Sequence, residues 1–227
     1  MPSTMRQVRV PLGLILFGAV PVAFAIVRAV ELASDPVVTP DNARFLAMPA
    51  PILLHIYGGV PYVVLGALQF VPALRRRSWH RLAGRLLIPC GLAVGVSGVW
   101  MTLRGDLPAT DGTLLNAFRL IVGGFTIAAM VLGFLAVRRR DIARHRAWMI
   151  RGYAVAAMGT GTQTLFFGLW VGAVGEPGVT TKALLMGAAW AVNLAVAERL
   201  IRRRRSTAPR RAGAALLQSA HGSMERG

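Results

Sequence analysis

Long apolar blocks alternate along the chain with short, Arg-rich polar runs. A helix needs about 20 largely apolar residues to cross the hydrocarbon core of a bilayer, and no lipid-exposed loop can interrupt it there. Residues 10–29, 51–74, 86–103, 114–137, 152–174 and 183–201 each meet that requirement. The longest stretches left over, 30–50 and 202–227, are too short to bury a core of their own. The pattern predicts an all-α, polytopic membrane helix bundle, with six transmembrane helices forming one domain over residues 1–201. The tail at 202–227, rich in Arg, Ala, Ser and Gly, is expected to be basic and disordered beside the membrane surface.

Composition agrees with lipid as the solvent. The chain is 55% hydrophobic and 15% charged, with a mean hydropathy of +0.54, whereas soluble domains carry about 25% charged residues. Its net charge of +17 needs a separate account. When the Lys and Arg residues are sorted by side of the expected spans, 21 of the 26 fall with the two termini and the even-numbered loops. The other five are Arg28, Arg44, Arg104, Arg119 and Lys182. By the positive-inside tendency both termini are cytoplasmic. The charge is then a topology signal, and the Arg clusters lie where anionic lipid headgroups are found. Nucleic acid is not an expected partner, because the basic residues flank spans instead of lining one face and only three Tyr are available to interleave with them.

Several chemistries are excluded or weakened. Cys90 is the single cysteine, so neither an internal disulfide nor a thiolate metal cluster can form, and no metal site is expected. No GxSxG, P-loop or HExxH motif is present, and no catalytic residues stand out, which tilts the reading away from an enzyme. The first apolar block follows Arg6 and Arg9 and contains Ala23-Phe24-Ala25, an imitation of a signal-peptidase site. At 10–27 it exceeds the ~7–15 residues of a signal core and reads as a retained helix.

Polar residues inside the spans are the candidate chemistry. His55, Gly59, Tyr62, Gly66 and Gln69 recur at steps of four and three, which places them on one face of the second span. Arg119, Gly123 and Thr126 repeat the spacing in the fourth span, and Tyr153, Thr160 and Gln163 occupy compatible positions in the fifth. A common seam bearing His55, Tyr62, Gln69, Arg119 and Gln163 is the expected ligand or proton site, since ionisable groups at membrane depth usually face an interior cavity. Glu198 is expected to pair with Arg202 one turn later, and Asn193 to bind a neighbouring helix. Gly91, Gly95 and Gly98, and Gly168 with Gly172, are expected at close helix contacts. Pro21 and Pro61 fall inside spans, and Pro89 in the first turn of its own.

The second and fourth spans align at an offset of 64, matching His55 to Arg119, Gly59 to Gly123, Leu68 to Leu132, Phe70 to Phe134 and Arg75-Arg76 to Arg139-Arg140. Each continues into a basic loop with His-Arg, at His80-Arg81 and His145-Arg146. Spans 2–3 and 4–5 thus read as parallel copies of one helical hairpin, an arrangement that in membrane folds often binds something at the repeat interface. His80 and His145 lie at one side and are the candidate ligands of a single b-type haem. His55 has no partner for a second.

These motifs resemble a known family. His55 followed by Gly66-x-x-Gln69-Phe70, His80-Arg81-x-x-Gly84-Arg85, and Asp141 leading to His145-Arg146-x-Trp148-Met149-x-Arg151-x-Tyr153-Ala154 are similar to the bacterial membrane family catalogued as domain of unknown function 2306, over roughly residues 50–170. The resemblance implies a multi-pass protein of the bacterial cytoplasmic (inner) membrane and no particular reaction. Two departures stand out: the fourth span lacks a Trp near its cytoplasmic half, and Gly161-Thr162-Gln163-Thr164 stands where the family commonly has an Arg. Three functions stay open: a bundle that binds or transports a small ligand or proton, a scaffold or partner-binding subunit, and a redox protein with b-type haem or quinone.

Overall fold

The computed structural model describes residues 4–75 and 78–224, and among them there is no strand. Nine α-helices follow one another: α1 (Thr4–Ala33), α2 (Ala43–Ala47), α3 (Pro49–Leu68), α4 (Pro72–Arg75), α5 (Ser78–Arg104), α6 (Gly112–Arg138), α7 (Ile142–Tyr153), α8 (Gly159–Val174) and α9 (Val179–Met224). A 3-10 turn, Ala109–Asp111, precedes α6, and a π-helical turn, Ala154–Met158, joins α7 to α8. Among the described residues five stretches are long and apolar enough to cross a membrane: Pro11–Ala33, Pro49–Leu68, Ser78–Arg104, Ala109–Arg138 and Val179–Arg203. The remaining expected span, 152–174, is divided by the π turn, and α8 alone has 16 residues.

Helix boundaries depart from the apolar blocks where local chemistry intervenes. α3 stops at Leu68 instead of 74 because Pro72 has no N–H to continue the ladder and its ring crowds the carbonyl four residues back. α5 begins at Ser78, a full two turns before its apolar block, so Pro89 lies inside the helix and not in the first turn. The carbonyl of Arg85 consequently has no helical partner. α9 continues to Met224, so helix extends through 202–224 where composition predicts a disordered tail. A formed span removes the nucleation cost, and the Arg, Ala, Leu and Gln in this stretch are good helix formers, against Pro209 and Gly213, which oppose the helix.

α1, α3, α5, α6, α9 and α8 pack in that order into a closed ring. The π turn touches α1, α3, α5, α6 and α9, which places it at the centre. Only small or slender side chains fit there, and Val155, Ala157, Met158 and Gly159 are all buried. A cluster of Tyr62, Ala67, Leu87, Cys90, Ala129, Met130, Tyr153 and Met158 forms the core, while Leu16, Phe24, Ile121, Leu169 and Leu184 face outward as lipid contacts would. Gly91 and Gly95 sit at tight contacts, as expected: a Cβ on Gly91 would come within 2.5 Å of Met130 Sδ, and one on Gly95 within 3.1 Å of the Gly123 carbonyl. Gly168 and Gly172, by contrast, are exposed with nothing within 4 Å, so their spacing marks no helix contact here.

Two polar contacts join α9 to its neighbours α8 and α7. Asn193 Nδ2 donates to Thr162 Oγ1 at 2.6 Å, the interhelical bond expected of it. Glu198 makes its two-pronged bridge across the bundle, to Arg151 Nε at 2.5 Å and Nη2 at 3.1 Å, where the sequence suggests only Arg202. The guanidinium of Arg151 also lies 5.0 Å from the Trp148 ring. Arg151→Met or Glu198→Leu removes this two-pronged bond and is expected to cost about 2 kcal/mol, below the ~3–5 of fully buried pairs because the side chains are 21% and 31% exposed. The double variant recovers most of that loss, a coupling that thermal unfolding of the four proteins in detergent measures.

Candidate functional site

A cavity of 360 Å³ opens at the end of the bundle away from the Arg-rich loops, called the outer end for reference. His55 from α3, Arg44 from α2, Arg119 and Thr126 from α6, and Thr160 and Gln163 from α8 line it. His55 is oriented by α5: its Nδ1 lies 3.0 Å from Ser97 Oγ. The Ser97 hydroxyl spends its one proton on the Ala93 carbonyl at 2.5 Å, so it accepts from the ring. His55 therefore carries its proton on Nδ1 and keeps the lone pair of Nε2 available.

Arg119 is held by a carboxylate that carries no local sequence signal, Asp111. Its Nη1 donates to Asp111 Oδ2 at 2.7 Å and to Asn116 Oδ1 at 3.1 Å. Lys182 Nζ takes the other Asp111 oxygen at 2.6 Å. The Asp111 side chain is only 3% exposed. Two cations on one carboxylate leave a positive charge in excess, and Arg44 adds another beside the cavity. Its guanidinium lies 4.4 Å from the Phe45 ring, with Arg28 4.6 Å from the same ring. Burial pulls Arg44 below the ordinary arginine value, and the group remains a cation.

The loop carrying α2 is fixed by Asn42, another residue without a local sequence signal. Asn42 Nδ2 donates to Glu31 Oε1 at 2.9 Å and to the Val37 carbonyl at 3.0 Å, and its Oδ1 accepts from Thr39 N at 2.7 Å. Arg44 and Phe45 are thereby set at the cavity wall. Gln163 makes one long contact, Nε2 to the Met186 carbonyl at 3.4 Å, and can serve as a neutral donor to an occupant.

The expected seam is divided. His55, Arg119 and Gln163 share the outer cavity, whereas Tyr62 and Gln69 line a second one of 240 Å³ toward the basic end, and no residue lines both. Between them Tyr62, Met130 and Tyr153 are all but fully buried. The two tyrosine rings are 5.9 Å apart, and Tyr153 OH donates to the Val63 carbonyl at 2.8 Å. Tyr153 can reach α3 because Gly66 leaves room for its ring.

The inner cavity brings His80 and His145 together, joined by Arg146. His145 Nδ1 lies 2.8 Å from the Gly133 carbonyl. A carbonyl only accepts, so Nδ1 bears the proton and Nε2 the lone pair. Residues 64 or 65 positions apart line it together: Gly66 and Met130 at an offset of 64, and His80 and His145, Gly84 and Met149, and Ile88 and Tyr153 at 65. Among the described residues no three of His, Cys, Asp and Glu come close enough to hold a metal ion.

A ring of apolar helices around a narrow centre, with largely apolar cavities bearing a few polar groups toward both ends, defines a helical integral membrane protein. The chain belongs to the family described as Predicted membrane protein (DUF2306), whose model matches residues 52–201, the family its motifs resemble and a longer stretch than those motifs cover. No curated protein and no solved structure matches the chain.

Proposed function

We propose that the protein binds a small anionic ligand, such as a carboxylate, in the outer cavity. The reading rests on one observation: His55, Arg119 and Gln163, from three helices distant in sequence, line a single 360 Å³ space. Arg44 and the excess charge around Asp111 favour an anion, His55 Nε2 accepts from a protonated ligand atom, and Gln163 donates. The apolar remainder of the wall suits a short organic chain. The positive-inside distribution supports placing both termini in the cytoplasm of a bacterium, with this cavity toward the outer face of its cytoplasmic membrane and the Arg clusters against anionic headgroups. Transport across the membrane would require the Tyr62–Met130–Tyr153 layer to open, and the π turn beside it is the kind of local irregularity that often marks functional sites.

Trp190 lines the same cavity and reports on it. Glycolate, lactate and mandelate, each with a hydroxyl beside the carboxylate that can donate to His55 Nε2, are the probes, read by tryptophan fluorescence and thermal unfolding in detergent. At least one is expected to change both signals saturably. His55→Ala and Arg44→Gln, which leave the Asp111 bridges intact, should weaken that response about tenfold each, the ~1.4 kcal/mol of one good polar contact. No response to any probe, or an equal response in both variants, overturns the reading.

A further inference from the structure

We infer that the inner cavity is a bis-imidazole site for an iron porphyrin, with His80 and His145 as its two axial ligands. The two imidazoles come from different walls, His80 from the first turn of α5 and His145 from the first turn of α7, and face one space. His145 is in the ligand form. Its Nδ1–H is committed to the Gly133 carbonyl, the orientation by which a histidine presents Nε2 to a metal.

The ligand count then selects the class of cofactor. A bare transition ion takes about four protein donors, and no third His, Cys or carboxylate joins these two among the described residues. A porphyrin brings four equatorial nitrogens of its own and asks the protein for the two axial positions only. Apart from Gln69 and Arg146 the rest of the wall is largely apolar: Phe70, Leu87, Ile88, Met130 and Met149 surround the space, and a side chain added at Gly84 would meet no atom within 4 Å, so the wall is open beside that glycine. Arg146 lines the same cavity and supplies a guanidinium for a propionate. The enclosed 240 Å³ is smaller than a whole porphyrin, so the propionate edge projects through the mouth, with Met130 and Met149 as the adaptable part of the wall. The site lies between the two hairpins, and residues 64 or 65 positions apart line it together.

The test is the absorption spectrum of the full chain purified in detergent from haem-replete cells, together with titration of the purified protein with hemin. The expected result is a low-spin bis-imidazole spectrum that sharpens on reduction with dithionite, with haem saturating at one per chain. His80→Ala and His145→Ala each abolish it, and His145→Met shifts the spectrum without abolishing it, which separates lost ligation from lost folding. His55→Ala leaves it unchanged, since that residue belongs to the outer cavity. Colourless wild-type protein that also fails to bind hemin overturns the inference, as does haem retained in both alanine variants. A colourless protein that releases an extractable quinone does so too and reassigns the cavity.

Discussion

Asp111→Ala is expected to lower the unfolding free energy by about 3 kcal/mol, the lower end of what breaking a buried ion pair costs. The side chain is 3% exposed and neutralises two cations at once, Arg119 at 2.7 Å and Lys182 at 2.6 Å. Its removal leaves the Arg119 guanidinium and the Lys182 ammonium, 31% and 22% exposed, without their shared counter-charge. Local consequences follow as well, because Arg119 loses the bond that fixes it at the cavity wall. The triple variant with Arg119→Gln and Lys182→Met should regain most of the stability, since no unpaired charge is left, yet should not regain carboxylate binding. Denaturant unfolding in mixed micelles gives the first quantity, and the fluorescence titration the second. A single variant as stable as wild type would show that water reaches the cluster freely.

Gly58→Leu is expected to destabilise the bundle by a similar amount, about 3 kcal/mol, the upper end for overpacking. A Cβ at this position would lie 2.9 Å from the Cys90 carbonyl and 3.0 Å from Ala93 Cβ. Those neighbours are backbone and the stub of a side chain, so no rotamer change relieves the clash and α3 must move off α5. Gly168→Leu is the control, because nothing lies within 4 Å of that site. It should change stability by no more than about 0.5 kcal/mol, as outward-facing substitutions usually do. Thermal unfolding of both variants in one detergent decides between them, and equal effects would contradict the packing described for α3 and α5.

The contrast between these two glycines shows how far small-residue spacing can be read from a chain. Gly168-x-x-x-Gly172 and Gly91-x-x-x-Gly95 look alike in sequence, yet only the second pair is packed. Spacing puts two glycines on one helix face. Which way that face turns depends on every other contact the helix makes. The seam behaves similarly. His55, Tyr62 and Gln69 do share a face of α3, but the face is long enough to enter two cavities, and bulky Met130 and Tyr153 from other helices close the space between them. Asp111 gave no local sign of importance because its partners stand 8 and 71 residues away, and Asn42 because the bond that ties its loop to α1, to Glu31, reaches 11 residues back.

Hydropathy and flanking charge are sums over neighbouring residues, so the chain alone determines that it is a helical membrane protein, roughly where its spans lie and which loops are basic. The family motifs are equally local and equally legible. Rotation, pairing and helix ends beyond the apolar blocks are set by contacts between distant residues, and only the tertiary structure decides them. Hence it is the fold that places Arg119 on Asp111, Glu198 on Arg151, and His80 with His145 in one cavity. Burial makes those pairings energetically decisive, because a charge or imidazole taken out of water is stable only beside the partner the packing brings to it.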